Sequence, residues 1–165
     1  MAAAKTTLTA GKLQIAAAGK IDLEEIMAIE QLSFAKPWSR RQFNPELSTT
    51  SALFLVCQAT AGHLAGFILV HGNLDEAELL KIAVRPEARR QGIATVLIEY
   101  TLRQLWLQGI TKLFLEVRET NIGAQSFYLA NGFQIISRRR KYYSNPREDA
   151  LIMAAELGQP SREFC

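Results

Sequence analysis

Residues 77–117 constrain the fold more than any other part of the chain. A β-branched, apolar run over residues 77–84 breaks at Arg85-Pro86, passes through Glu87-Ala88-Arg89-Arg90-Gln91-Gly92, and enters a long helical pattern at Ile93. Val96, Leu97, Tyr100, Leu105 and Leu107 keep helical spacing until Gly109, which predicts a C-terminal cap, and residues 112–117 read as another strand. A helix between two strands of one sheet crosses over right-handedly, so those strands are expected to lie parallel. The chain is therefore α/β.

The loop that opens this helix has its own chemistry. The first amides of a helix lack internal partners, and the macrodipole adds partial positive charge there. Gly92 lets the backbone approach an anion closely, and Arg89 and Arg90 can flank a negative group. The loop has neither the Gly-Lys-Ser/Thr of a P-loop nor the G-x-G-x-x-G of a dinucleotide fold. A pyrophosphate of another kind is the expected ligand. The alternative is that both arginines are ordinary surface residues.

The rest of the chain supplies the other elements. Residues 1–11 read as a flexible extension and residues 157–165 as a polar tail, leaving a single domain over 12–156. Leu13, Ile15 and Ala17 alternate as in a strand. Asp22 is expected to cap a helix carrying Ile26, Met27, Ile29 and Leu32, and Ser39 to cap a short second one through Phe43 to Leu47. Residues 51–59 and 63–71 read as strands joined by a turn at Ala61-Gly62. Residues 122–129 read as a helix ended by Asn131-Gly132, with strands starting at Phe133 and at Asp149. The expected architecture is a mixed sheet of six or seven strands with about four helices packed on it.

Composition excludes several classes. The 165 residues carry 19 Lys plus Arg against 16 Asp plus Glu, a net charge of +3, which argues against a dedicated nucleic-acid binder. The two cysteines, Cys57 and Cys165, offer neither a disulfide framework nor metal-ligand spacing, which suits a reducing cytoplasm. No apolar run is long enough for a signal peptide or a membrane span, so a soluble cytoplasmic protein is expected.

The loop Arg89-Arg90-Gln91-Gly92-Ile93-Ala94 resembles the coenzyme A loop of the GNAT acetyltransferases, Q/R-x-x-G-x-G/A. The likeness extends to residues 115–121 (Leu-Glu-Val-Arg-Glu-Thr-Asn), to residues 126–133 (Ser-Phe-Tyr-Leu-Ala-Asn-Gly-Phe) and to Ser33-Phe34 followed by Pro37-Trp38-Ser39. Lys141-Tyr142-Tyr143 and Arg147-Glu148-Asp149-Ala150 complete it. Together these motifs look like the RimI family, bacterial enzymes that acetylate the N-terminal alanine of a small-subunit ribosomal protein. They span roughly residues 13–156.

That resemblance implies acetyl-CoA as acetyl donor, no metal, and a protein N-terminus as acceptor, with no membrane partner. It implies that Arg90, Gln91, Gly92, Ile93, Ala94 and Thr95 surround the pyrophosphate and that the backbone of Ile82, Ala83 and Val84 pairs with the pantetheine arm. Asn121 would hold that arm or orient the site. An α-amine with a pKa of about 8 is mostly protonated near pH 7, so it needs a base, and Glu116 matches the family's proposed one. Tyr128 matches the proposed acid that protonates the departing thiolate. On the residues alone, Glu116 could equally be a strand-end glutamate paired with Arg118 or Lys112, and Tyr128 a half-buried aromatic like Phe127.

Trp38, Tyr142 and Tyr143 are expected at the peptide entrance. The basic run over residues 138–141 reads as a solvated strand edge before it reads as an RNA contact. Asp75, Glu76 and Glu78 are ordinary surface carboxylates, His63 and His71 take no role, and Cys57 is expected in the core. Three alternatives stay open: another acceptor such as a lysine or polyamine, a non-catalytic coenzyme A-binding module, and a nucleic-acid-binding module.

Overall fold

In the computed structural model, residues 13–59 and 62–158 are described. The expected N-terminal extension and all of the expected tail beyond Gly158 lie outside them. The elements follow in the order β1 (Leu13–Ala17), α1 (Leu23–Ser33), α2 (Arg40–Glu46), β2 (Ala52–Ala59), β3 (Leu64–Asn73), β4 (Glu76–Val84), α3 (Ile93–Leu107), β5 (Lys112–Arg118), α4 (Ile122–Ala130), β6 (Gln134–Ser144) and β7 (Arg147–Glu156). Seven strands form one sheet in the order β1-β2-β3-β4-β5-β7-β6. β4 and β5 pair in parallel, from Glu76 opposite Lys112 to Glu78 opposite Phe114, as the crossover requires. The β1–β2, β2–β3, β5–β7 and β6–β7 pairs are antiparallel, so the sheet is mixed. No helix among the described residues is long and apolar enough to cross a membrane.

The chain divides into two compact units. The first runs to His71 and resumes over Leu80–Ile98; the second takes Gly72–Leu79 and everything from Glu99. The core of the first unit joins Leu23, Ile26 and Ile29 of α1 and Phe43 of α2 to Phe54 and Val56 of β2, Phe67 and Leu69 of β3, and Ala83 of β4. The phenylalanines meet in offset or edge-on pairs 5.9–6.1 Å apart, the geometry that aromatic quadrupoles favour. Gly66 is needed there, since a Cβ would lie 2.6 Å from the Ala83 carbonyl oxygen. In the second unit β5 buries Leu113, Leu115 and Val117, while Lys112, Phe114, Glu116 and Arg118 share the opposite face. Tyr128 and Phe133 are buried at the end of α4 and just beyond it, with rings 5.5 Å apart.

Two local expectations change. Asp22 sits at the N-cap of α1, but its carboxylate makes no cap bond; it accepts from the Gly19 N–H at 2.8 Å. A 3-10 turn over Lys20–Asp22 precedes α1, and the carboxylate closes that turn instead. β6 is far longer than a strand starting at residues 133–136 would be read from apolar pattern alone, because its continuation is charged and exposed. Ser39 does open α2, with its N–H donating to Gln42 Oε1 at 3.0 Å. Of the expected turn at Ala61-Gly62, Ala61 lies outside the described residues, and Gly62 has φ +84°.

Candidate active site

In the first unit, the segment after β4 is braced before it reaches the helix. Arg85 donates from its N–H to Ala65 O at 2.8 Å, from Nε to Leu64 O at 2.9 Å and from Nη2 to Glu25 Oε2 at 3.0 Å. Arg89 donates from Nε to Val84 O at 3.0 Å. Arg89 is therefore a strut across the loop. Arg90 and Gly92 both have left-handed backbones, φ 59° and 78°. That conformation costs an ordinary residue roughly 1–2 kcal/mol, so its use at Arg90 is a strain held by the surrounding loop. Nothing lies within 4 Å of a Cβ built on Gly92. The Val96 N–H bonds to Gly92 O at 3.0 Å, and the amides of Ile93, Ala94 and Thr95 come before it, in the first turn where helical partners are lacking.

The same unit holds a buried ion pair at the edge of the segment that follows α1. Glu30 is 0% exposed and Lys81, on β4, 10%. Glu30 Oε1 accepts from Lys81 Nζ at 2.5 Å and from the Trp38 N–H at 2.9 Å. The ammonium also lies 4.1 Å from the centre of the Phe34 ring and 5.0 Å from that of Trp38. Glu30 Oε2 has no partner among the described residues. The pair fixes Trp38 and Phe34, two of the residues in the Ser33-Phe34…Pro37-Trp38-Ser39 motif.

In the second unit the polar face of β5 carries Glu116, the base expected from sequence. Glu116 Oε1 accepts from Arg139 Nη1 of β6 at 2.6 Å. The alternatives considered from sequence, Arg118 and Lys112, have other partners. Arg118 donates to Glu148 Oε2 at 3.1 Å and stacks 4.0 Å from the Tyr143 ring centre, and Lys112 meets Glu156 at 2.9 Å. Glu148 also accepts from the Thr120 N–H at 2.7 Å and its hydroxyl at 2.5 Å; these bonds, first among the causes, hold its pKa below the usual carboxylate value. Glu116 lies two residues inside β5, not at its end.

Tyr142 and Tyr143, which feel Glu116, and Tyr128 of α4 all resist ionisation. The carboxylate raises the pKa of Tyr142, chiefly by accepting from its phenol. Tyr143 is raised by burial first and then by Glu116, with Arg118 opposing. Tyr128, in α4, is pushed up to about 12 by burial and, less strongly, by Tyr143. Tyr143 thus feels the charge of Glu116, and an ionised Tyr143 would oppose ionisation of Tyr128. At neutral pH the Tyr128 phenol keeps its proton.

The acetyltransferase (GNAT) family model matches residues 23–133. The chain belongs to that family. It is an N-acetyltransferase. The ribosomal protein bS18-alanine N-acetyltransferase of Escherichia coli strain K12 is 39% identical over 139 residues, covering 82% of this chain and 92% of that protein. The enzyme of the same description from Haemophilus ducreyi is 36% identical over 140 residues, covering 82% and 94%. The crystal structure of the ribosomal-protein-S18-alanine N-acetyltransferase from Escherichia coli matches with a TM-score of 0.82 at 34% identity, over 93% of this chain and 99% of that one.

For this GNAT protein, the residues expected from sequence fall in two places. Ile82, Ala83, Val84 and the loop from Arg90 to Thr95 are in the first unit; Glu116, Asn121 and Tyr128 are in the second. Asn121 is also a helix cap, its Oδ1 accepting from the Ala124 N–H at 3.2 Å, a duty the sequence reading did not give it. Val84 O is shared with Arg89. The contact that sequence reasoning missed is Arg139 on Glu116. No local signal marks it, because it depends on β7 lying between β5 and β6.

Proposed function

We propose that this N-acetyltransferase moves the acetyl group of acetyl-CoA to the α-amine of an N-terminal alanine on a small-subunit ribosomal protein. Attack is direct, within a ternary complex, and residues 12–156 act as one cytoplasmic catalytic domain. The single observation that carries the acceptor is the 39% identity, over most of both chains, to a protein named for that reaction.

The loop fits a diphosphate on its own evidence: open space at Gly92, left-handed backbone at Arg90 and Gly92, and three amides in the unbonded first turn of α3. Arg90, Gln91, Gly92, Ile93, Ala94 and Thr95 would hold it, and the backbone of Ile82, Ala83 and Val84, beyond the β4–β5 register, would pair with the pantetheine arm. When bound, the thioester supplies an activated acetyl carbon. A main-chain N–H aimed at a developing oxyanion is typically worth about 3 kcal/mol.

Glu116 takes the proton of the acceptor ammonium, directly or through one water. Tyr128, held neutral by burial, keeps at its Oη the proton that a departing thiolate needs. Asn121 orients the pantetheine arm through Nδ2, since its Oδ1 caps α4.

Thiol release from acetyl-CoA with a peptide beginning in alanine tests this reading. Glu116→Gln is expected to lower turnover about 10²–10⁴-fold. The loss is largest below pH 8, where solvent leaves the amine protonated. Tyr128→Phe lowers turnover while leaving acetyl-CoA binding intact. Turnover by both variants at the parent's rate would remove the assigned roles.

A further inference from the structure

The contact between Arg139 and Glu116 is at odds with a base waiting for substrate. A guanidinium keeps its charge at any working pH, so it can neither relay a proton nor accept one. What it does is occupy Oε1, an oxygen that an acceptor's α-ammonium can reach. The other cations near this face are engaged elsewhere, Arg118 on Glu148 and Tyr143 and Lys112 on Glu156. Among the described residues, Arg139 is the cation on Glu116.

We infer that Arg139 is an internal stand-in for the acceptor ammonium, a positioning residue that holds Glu116 and yields it when the substrate's N-terminus arrives. This rests on the reading of Glu116 as the base. Three observations make the exchange easy. First, the pair is unevenly covered: Glu116 is 20% exposed and Arg139 57%, so the attraction is partly screened by water and cheap to replace. Second, β6 is the edge strand, and between Arg139 and Tyr143 its register slips: four steps along β6 face the two from Ala150 to Glu148 on β7. Lys141, inside that slip, has φ 53°. A bulge bends its strand and re-aims its side chains, here with the Lys141 N–H donating to Asp149 Oδ1 at 2.7 Å. Third, the guanidinium already lies 5.4 Å from the centre of the Tyr142 ring, an electron-rich face on which a displaced cation can rest.

The exchange conserves charge at Glu116. One cation leaves as another enters, so the carboxylate is never left bare, and a neutral or acidic group has nothing to offer in return. The site thereby selects a cationic amine before any chemistry begins.

The test is steady-state kinetics with a peptide beginning in alanine. Arg139→Gln is expected to lower the KM for the peptide about two- to five-fold, the span of an exposed ion pair, with a smaller change in kcat. Arg139→Lys, which keeps the charge, is expected to retain the parent's KM. An unchanged or raised KM in Arg139→Gln overturns the inference. A second measurement does not rely on turnover: calorimetric peptide binding to Glu116→Gln and to Glu116→Gln/Arg139→Gln. Equal affinities support the inference, because without the carboxylate the arginine has nothing to withhold; a difference overturns it. Glu116→Gln turning over like the parent would remove the base itself. Loss of turnover in Glu116→Gln beside an unaltered KM in Arg139→Gln would remove only the role of Arg139.

Discussion

Glu30 in the first unit and Glu116 in the second are both glutamates facing a single basic side chain, and the resemblance ends there. Glu30 is sealed, with Lys81 and the Trp38 amide on one oxygen. Glu116 is partly open, and its partner stands on an exposed edge strand. A sealed charge pair holds shape, since losing either member strands the other in a poor solvent for ions. A half-open pair can change partners. The units differ in the same sense elsewhere: the groups proposed to hold an anion in the first are main-chain amides, and those proposed to react in the second are side chains on β5 and α4.

Substitutions can break or sharpen this contrast. Lys81→Met should destabilise the fold by about 3–5 kcal/mol, because Glu30 is left buried without a counter-charge. Removing Arg139 should cost well under that, about 1 kcal/mol at most. Urea unfolding of the two variants side by side measures the difference, and equal losses would erase the distinction. Gly66→Ala should cost about 1–3 kcal/mol, since the new methyl meets the Ala83 oxygen at 2.6 Å and one strand must shift. Gly92→Ala should cost roughly 1–2 kcal/mol through its φ of +78° alone, with open space around the methyl. Its larger signature is weaker acetyl-CoA binding by calorimetry.

The smallest effect is silent at neutral pH. The Tyr128 pKa is raised by burial from 10.0 to about 12, so folded and unfolded chains both hold that proton below about pH 10. Between about pH 10 and 12 the unfolded chain ionises first, and stability falls as pH rises through that window. Tyr142 and Tyr143 are raised as well and add to the same decline. Tyr128→Phe should make the fall in unfolding midpoint shallower, and an identical slope would mean the phenol is not desolvated.

Sequence made the first unit's loop and the β4–β5 pairing legible and left the second unit's side-chain partners dark. The segment from Ile82 to Thr95 is contiguous, so a strand, a proline, a glycine and a helical period in that order report its geometry directly. The β4–β5 parallel pair follows from the intervening helix. Glu116 could be placed on a strand, but its partner could not be named. Arg139 comes 23 residues later, across an intervening strand, in a run whose charges hide its strand character. Asp22 shows a smaller gap: a capping residue in the right place served a neighbouring turn, and turn and cap have the same signature.

Neither unit is a continuous piece of polypeptide. The first is interrupted after His71, and the chain returns to it at Leu80 before departing again after Ile98, part-way along α3. No single cleavage can therefore release either one whole, and a gene fragment carrying only residues 80–98 would inherit part of a strand and part of a helix. Exchanging either unit would mean cutting within β3, β4 and α3 at once.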